Sequence, residues 1–330
     1  MRAPVVRTFF CFCLALACGH AADGAKLLEA RVASDLVPSP VEYAVLVPDG
    51  YNPSGERLPL LLDLHGGGGN RGYLARMQPI YEQLWREKKL PPLVVATPSV
   101  TPRGLYMDFR DGSQKWETFL SGPFLEHLRA SYHVRRDRRG TLITGISMGG
   151  MGALRIALKH PQQFAAVAAM EPGIEPVLRW QDIRPKHRFW RSDRLLETIF
   201  GSPVDPQYWS ANNPASIVEA HAEALREGGP VIYLECGDRD LFWLYEGTEF
   251  LHRVLWKNRI RHEYHLVHGA DHVGHTIRRR KIESLLFLAR TLEPAKADET
   301  VQRVRRLFQR AKQKLSETGH LEAPLGKAAP

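Results

Sequence analysis

From Val41 onward the apolar positions fall into two alternating rhythms. Residues 41–47 alternate with polar ones, as an exposed early strand does. Residues 58–64, 93–96, 141–144, 165–170, 231–234 and 263–267 are instead short apolar runs closed off by Gly, Pro or Asp, the pattern of strands buried on both faces of a parallel sheet. Between these runs, residues 78–87, 119–131, 150–159, 219–227, 247–258 and 280–291 predict helices. This alternation predicts an α/β fold, a mostly parallel central sheet with helices on both faces. Residues 171–215 break the rhythm. They are rich in Pro, Trp and Arg and lack a period, which suits an irregular cap segment over a site rather than a second domain. One catalytic domain, about residues 40–293, is expected between an N-terminal linker at 22–39 and a tail at 294–330.

The amino terminus has a chemistry of its own. Arg2 and Arg7 precede an apolar stretch at 9–18, and Gly19, His20 and Ala21 follow, so residues 1–21 have the layout of a signal peptide cleaved after Ala21. The stretch is shorter than the roughly 18 to 20 residues a membrane-spanning helix needs. A secreted or periplasmic protein is therefore expected, with lipoprotein processing at Cys18 as a variant. Cys11, Cys13 and Cys18 would leave with or sit in this segment, and Cys236 alone would remain, which excludes an intramolecular disulfide and a cysteine-type zinc cluster in the mature chain.

Candidate chemistry begins at Gly145-Ile-Ser147-Met-Gly149, a G-x-S-x-G sequence between a predicted strand and a predicted helix. A strand that turns sharply into a helix holds its serine in a strained conformation, and the close neighbours must lack a β-carbon. Ser147 is the nucleophile candidate. Upstream, His65-Gly66-Gly67-Gly68-Gly69 follows an apolar strand. Acyl transfer needs two N–H donors aimed at an oxyanion. The Met148 amide would supply one and Gly67, or next to it Gly68, the other; His65 reads as a loop-shaping residue. A phosphate-cradling loop is disfavoured because no Gly-Lys-Ser/Thr follows.

The acid should follow the serine in the chain and the histidine should follow the acid. Gly237-Asp238-Arg239-Asp240 closes a late strand, and Asp240 is placed better than Asp238 to point back over the sheet. Among His252, His262, His265, His268, His272 and His275, the last three lie in the loop after the final strand. His272 is the preferred base, with His268 and His275 open. A metal centre is disfavoured because neither H-E-x-x-H nor a cysteine pair accompanies the histidines.

Taken together, the segments Tyr106-Met-Asp-Phe-Arg-Asp-Gly-Ser-Gln-Lys-Trp116-Glu117, Gly145-Ile-Ser-Met-Gly-Gly-Met-Gly, Trp209-Ser-Ala-Asn-Asn-Pro-Ala and Gly237-Asp-Arg-Asp240 resemble the esterase D family of α/β-hydrolases. That family includes S-formylglutathione hydrolases, feruloyl and acetylxylan esterases, and mycolyltransferases. The resemblance spans about residues 40–293. It implies an α/β-hydrolase fold and a carboxylesterase with Ser147, Asp240 and His272 as its triad, no cofactor, and a small-molecule or carbohydrate ester as substrate rather than nucleic acid. One departure bears on the base: the family often ends in Gly-Gly-His and an aromatic residue, whereas Gly269-Ala-Asp-His272-Val carries one residue more. The export signal also sets the chain apart from S-formylglutathione hydrolase proper, a cytosolic activity. An acyltransferase using the same residues, and a non-catalytic binding protein on the same scaffold, are the rival readings. Trp116, Trp180, Trp190, Trp209 and Trp243 either line an aromatic or sugar-binding cleft or pack in the core and lid.

The formal charge of +9 then divides unevenly. Without Arg2 and Arg7 it is +7, and residues 301–314 alone hold six cations and no acid, so the rest is close to neutral. Val301, Val304, Phe308, Ala311 and Leu315 recur at helical spacing there. The tail is thus expected to be a basic amphipathic helix, either packed on the domain or in contact with an anionic surface.

Overall fold

The computed structural model describes residues 24–101 and 104–319. The expected signal segment and Cys18 lie outside them. Eight strands form one sheet in the order β1-β2-β4-β3-β5-β6-β7-β8. They are β1 (Lys26–Val32), β2 (Val41–Val47), β3 (Leu60–Leu64), β4 (Val94–Pro98), β5 (Thr141–Ile146), β6 (Ala166–Met170), β7 (Val231–Gly237) and β8 (His262–Val267). β2 runs antiparallel to both β1 and β4; every other neighbouring pair is parallel.

The helices are α1 (Gly72–Arg86), α2 (Trp116–Phe119), α3 (Leu125–Ser131), α4 (Met148–Lys159), α5 (Asp193–Phe200), α6 (Pro206–Ser210), α7 (Pro214–Ala220), α8 (Ala222–Gly228), α9 (Leu244–Lys257), α10 (Thr276–Leu292) and α11 (Glu299–Thr318). The two-residue period of the strands sorts their side chains onto two cores. Leu61, Leu142 and Ala168 meet Leu84 of α1 and Leu288 of α10 on one face. Leu62, Ile143 and Val167 meet Leu154 of α4 and Leu251 of α9 on the other. Continuous apolar runs follow from this arrangement, because both faces of each central strand are covered.

Four expectations need correction. Residues 22–39 are not all linker: β1 lies within them and pairs with β2 along its whole length. β2 is accordingly not an exposed strand, since β1 and β4 flank it and all but one of its residues are buried. The expected helix at 119–131 is broken into α2, a π-helical turn over Leu120–Phe124 and α3, with Pro123 inside the turn removing a backbone donor. The helix expected at 219–227 is likewise two short helices, α7 and α8, meeting at His221. Residues 171–215 hold two 3-10 turns followed by α5, α6 and the start of α7.

Candidate active site

β5 passes into α4 through Ser147, whose backbone sits at φ 56°, ψ −116°. A non-glycine residue there stores roughly 1–3 kcal/mol of strain and persists only where its surroundings over-determine it. Here the Ser147 N–H donates to Met170 O at 2.9 Å, and Ser147 O accepts from Met151 N at 3.0 Å. The flanking glycines are steric necessities. A β-carbon on Gly145 would lie 2.3 Å from Gly149 O, and one on Gly149 would lie 2.2 Å from Leu64 O. The close approach of β3, β5 and α4 thus places the Ser147 hydroxyl at the N-terminus of α4, where free N–H groups favour negative charge.

The glycine loop follows β3 and packs on the same turn, with Gly66 against the Ser147 side chain and the Ile146 carbonyl. His65 is buried and shapes this loop. Its Nδ1–H donates to Gly66 O at 2.8 Å, while the Val100 N–H donates to its Nε2 at 3.2 Å, which fixes a neutral tautomer. Burial lowers its pKa, consistent with that state. Gly67 and Met148 both line the cavity in front of Ser147.

Asp240 leaves the end of β7 and is buried. Its Oδ1 accepts from Phe242 N at 2.8 Å, and its Oδ2 accepts from His272 Nδ1 at 2.7 Å. His272 sits in the loop between β8 and α10 and lines the same cavity as Ser147. Burial alone would lower its pKa, but the Asp240 hydrogen bond and the nearby Glu171 and Asp240 charges outweigh burial and raise it. The other histidines have different partners: His252 pairs with His262 at 2.8 Å, His265 with Glu263 at 2.8 Å, and His275 precedes α10. His268 joins Asp238 at 2.8 Å on the surface, away from the cavity lining.

Two further residues belong to this group. Glu171, at the end of β6, is buried, and its Oε1 lies 3.6 Å from His272 Nδ1. Its carboxyl is pushed up to about 8, chiefly by burial, with Glu235 adding to the shift against His272 and Arg280. Arg280 of α10 reaches under the site and binds Glu171 Oε2 at 2.5 Å, the Glu235 carboxylate, and Asp271 O at 2.8 Å, which tethers the residue before His272. Burial would lower its pKa, but the two glutamates raise it. Donor atoms of Glu171, Asp240 and His272 lie within 4.8 Å of one another, a spacing that would also suit a small cation. Asp240 takes the imidazole N–H, and Arg280 binds Glu171 from the other side. In the sequence, Glu171 carried one signal, an acid directly after a buried parallel strand. Arg280 carried none, standing in the basic run Arg278-Arg279-Arg280-Lys281.

The cavity has a volume of about 430 Å³. Trp190 lines it, and Phe242 sets its ring edge against His272 at 4.7 Å between centroids. Phe189 stacks on Phe242 and packs on Trp243; Phe189 and Trp243 are exposed. Trp116 and Trp209 are instead buried, and Trp180 packs on Trp209. The segments around Tyr106, Glu117 and Asn212 converge behind α4. Arg155 donates to Asn212 O at 2.7 Å and Leu105 O at 2.8 Å, Lys159 pairs with Glu117, and the Tyr106 hydroxyl donates to His65 O at 2.9 Å. Apart from Leu105, which also lines the cavity, these residues hold the helix and the glycine loop.

The family described as "Putative esterase" matches residues 34–278. Esterase Rv1288 of Mycobacterium tuberculosis is 27% identical over 191 residues, 54% of this chain, and the match covers 40% of that protein's length. The diacylglycerol acyltransferase/mycolyltransferase Ag85A of the same organism is 40% identical over 62 residues, 19% of this chain and 18% of that protein. Among solved structures, a ferulic acid esterase superposes with a TM-score of 0.68 at 21% identity, covering 82% of this chain and all of the other. An S-formylglutathione hydrolase from Agrobacterium tumefaciens gives 0.67 at 21%, covering 83% and 98%. At such identities the likeness establishes the fold, that of the α/β-hydrolases.

Proposed function

We propose that this chain, which belongs to that esterase family, is a carboxylic ester hydrolase and works as a serine esterase through an acyl-enzyme on Ser147. The observation that carries the proposal is the strained Ser147 turn opening into the same cavity as the Asp240–His272 pair. Ser147 Oγ attacks the ester carbonyl carbon while His272 Nε2 takes its proton, and Asp240 holds the Nδ1–H and stabilises the imidazolium. The Gly67 and Met148 N–H groups receive the oxyanion. Collapse of the tetrahedral intermediate expels the alcohol, which takes its proton from His272. Water, activated by the same imidazole, then releases the acid and regenerates Ser147.

An ester of acetylated or feruloylated carbohydrate suits the aromatic surroundings of the cavity, Trp190, Phe242 and the exposed Phe189 and Trp243. Residues 1–21 are proposed to export the chain, and amino-terminal sequencing of the mature protein should begin at Ala22. Replacement Ser147→Ala should lower hydrolysis of a short nitrophenyl ester by about four orders of magnitude or more with the fold intact. Retained turnover would exclude the assignment, and failure of wild-type Ser147 to react with a fluorophosphonate probe would instead favour a binding protein. The local match to a mycolyltransferase supports a second reading, transfer of the acyl group to an alcohol in place of water. Product analysis with an added sugar or glycerol acceptor separates the two.

A further inference from the structure

The C-terminal helix α11 is built to stand by itself. Asp298 accepts a hydrogen bond from Val301 N at 3.1 Å and caps its first turn, and Gly319, at φ 72°, closes its last. Residues 293–298 before it are exposed, none of its own residues is buried, and Ala311 alone is partly covered. It does not pack into the domain. Val301, Val304, Leu307, Phe308 and Leu315 are therefore exposed, at 38–49% of their possible surface. At about 100° per residue, these five and Ala311 fall within an arc of about 120°. Arg305 and Lys312 run along one edge of that arc, and Arg303 and Arg310 lie beyond the other.

We propose that α11 is an interfacial anchor that lays its apolar stripe into the surface of an anionic bilayer, with the flanking cations at the level of the lipid headgroups. An apolar stripe bordered on both sides by long cationic side chains matches a bilayer surface. The alkyl stems lie along the hydrocarbon while the charged ends reach outward to the phosphates. A second copy of the helix could fill the same 3-4-3-4 seam. It would set further cations beside Arg305 and Lys312, however, with no acid between Thr300 and Ser316 to pair with any of them. A nucleic acid would satisfy the cations but leave Leu307 and Phe308 in water. The bilayer alone covers both halves of the surface. The domain would then sit at a lipid surface through a helix separate from its Ser147 cavity.

The test is flotation of the full chain with vesicles of phosphatidylcholine plus phosphatidylglycerol, against phosphatidylcholine alone. Binding should require the anionic lipid and weaken with salt. Arg305→Gln with Lys312→Gln should weaken it about thirtyfold, near fivefold for each cation. Phe308→Asp, at an exposed position, should abolish it, as should deletion of residues 297–330, with ester hydrolysis unchanged in each. The apolar stretch at 9–18 is common to all these chains, so the differences between them report on α11. Vesicle binding that survives Phe308→Asp and the deletion would overturn the proposal. So would a dimer by sedimentation that Phe308→Asp dissociates while no vesicle binding is seen, or retention on duplex DNA that Phe308→Asp leaves unchanged.

Discussion

Glu171 occupies a left-handed backbone position, φ 38°, with its N–H donating to Glu235 O at 2.6 Å and its carboxyl between His272 and Arg280. A carboxyl and an imidazole this close titrate together, and the pair keeps a proton to a higher pH than an isolated imidazole would. If His272 is the base, as proposed, it must be neutral to act, and the acid limb of the kcat/KM profile should lie above the usual imidazole value of about 6.5. Glu171→Gln removes a charge that favours the imidazolium, so that limb should move to lower pH while the plateau stays within about tenfold. A pH profile that does not move would show that Glu171 acts only in packing. Asp240→Asn should cost far more, about four orders of magnitude in kcat, because the Nδ1–H loses the acceptor that fixes its tautomer.

At the level of elements, the nucleophile turn depends on how closely three of them meet. Gly149→Ala would force its β-carbon into the backbone of Leu64 and His65, at 2.2 and 2.6 Å, and neither carbonyl is the end of a flexible side chain. The cost should reach or exceed about 3 kcal/mol in chemical denaturation, and activity should fall with it because Gly67 follows the same strand end. This requirement is visible in the sequence as glycines at fixed offsets from Ser147, and the central strands are visible as unbroken apolar runs because both their faces are covered. β1 was not visible. It is an edge strand with most of its side chains exposed, so Lys26–Val32 lacks the contrast that marks a buried run. Nor were the buried charges, since charged residues carry no mark of depth. Lys281 of α10 reaches Asp63 of β3 at 2.8 Å, and the Tyr81 hydroxyl of α1 donates to the same carboxylate at 2.6 Å. Lys281→Met leaves that carboxylate buried without its cation and should cost about 3–5 kcal/mol, read from the denaturant midpoint. Asp63→Asn with Lys281→Met should recover part of the loss.

For the whole molecule, stability above neutral pH tests the same buried network by a route independent of turnover. Buried His65 and His187 and half-buried His127 and His262 have lowered pKa values, so folding sheds their protons, and below about 6.5 they make stability rise with pH. Above pH 7 the last of their protons leave the unfolded chain, a small residual rise that is the same in the wild-type chain and in Glu171→Gln. Glu171, His272, Glu235 and Cys236 remain, all raised in the folded state. The folded protein then binds more protons than the unfolded chain, and the stability they contribute at low pH is lost as pH rises through their folded values, near 8 for Glu171. Between pH 7 and 8.5, below the range where tyrosines ionise, the loss from Glu171 should be about 1 kcal/mol, a few degrees in melting temperature. Calorimetry across that window should show the decline in the wild-type chain and a flatter curve for Glu171→Gln. If the two curves run parallel, Glu171 is ionised throughout, and the proton it is inferred to share with His272 is not there.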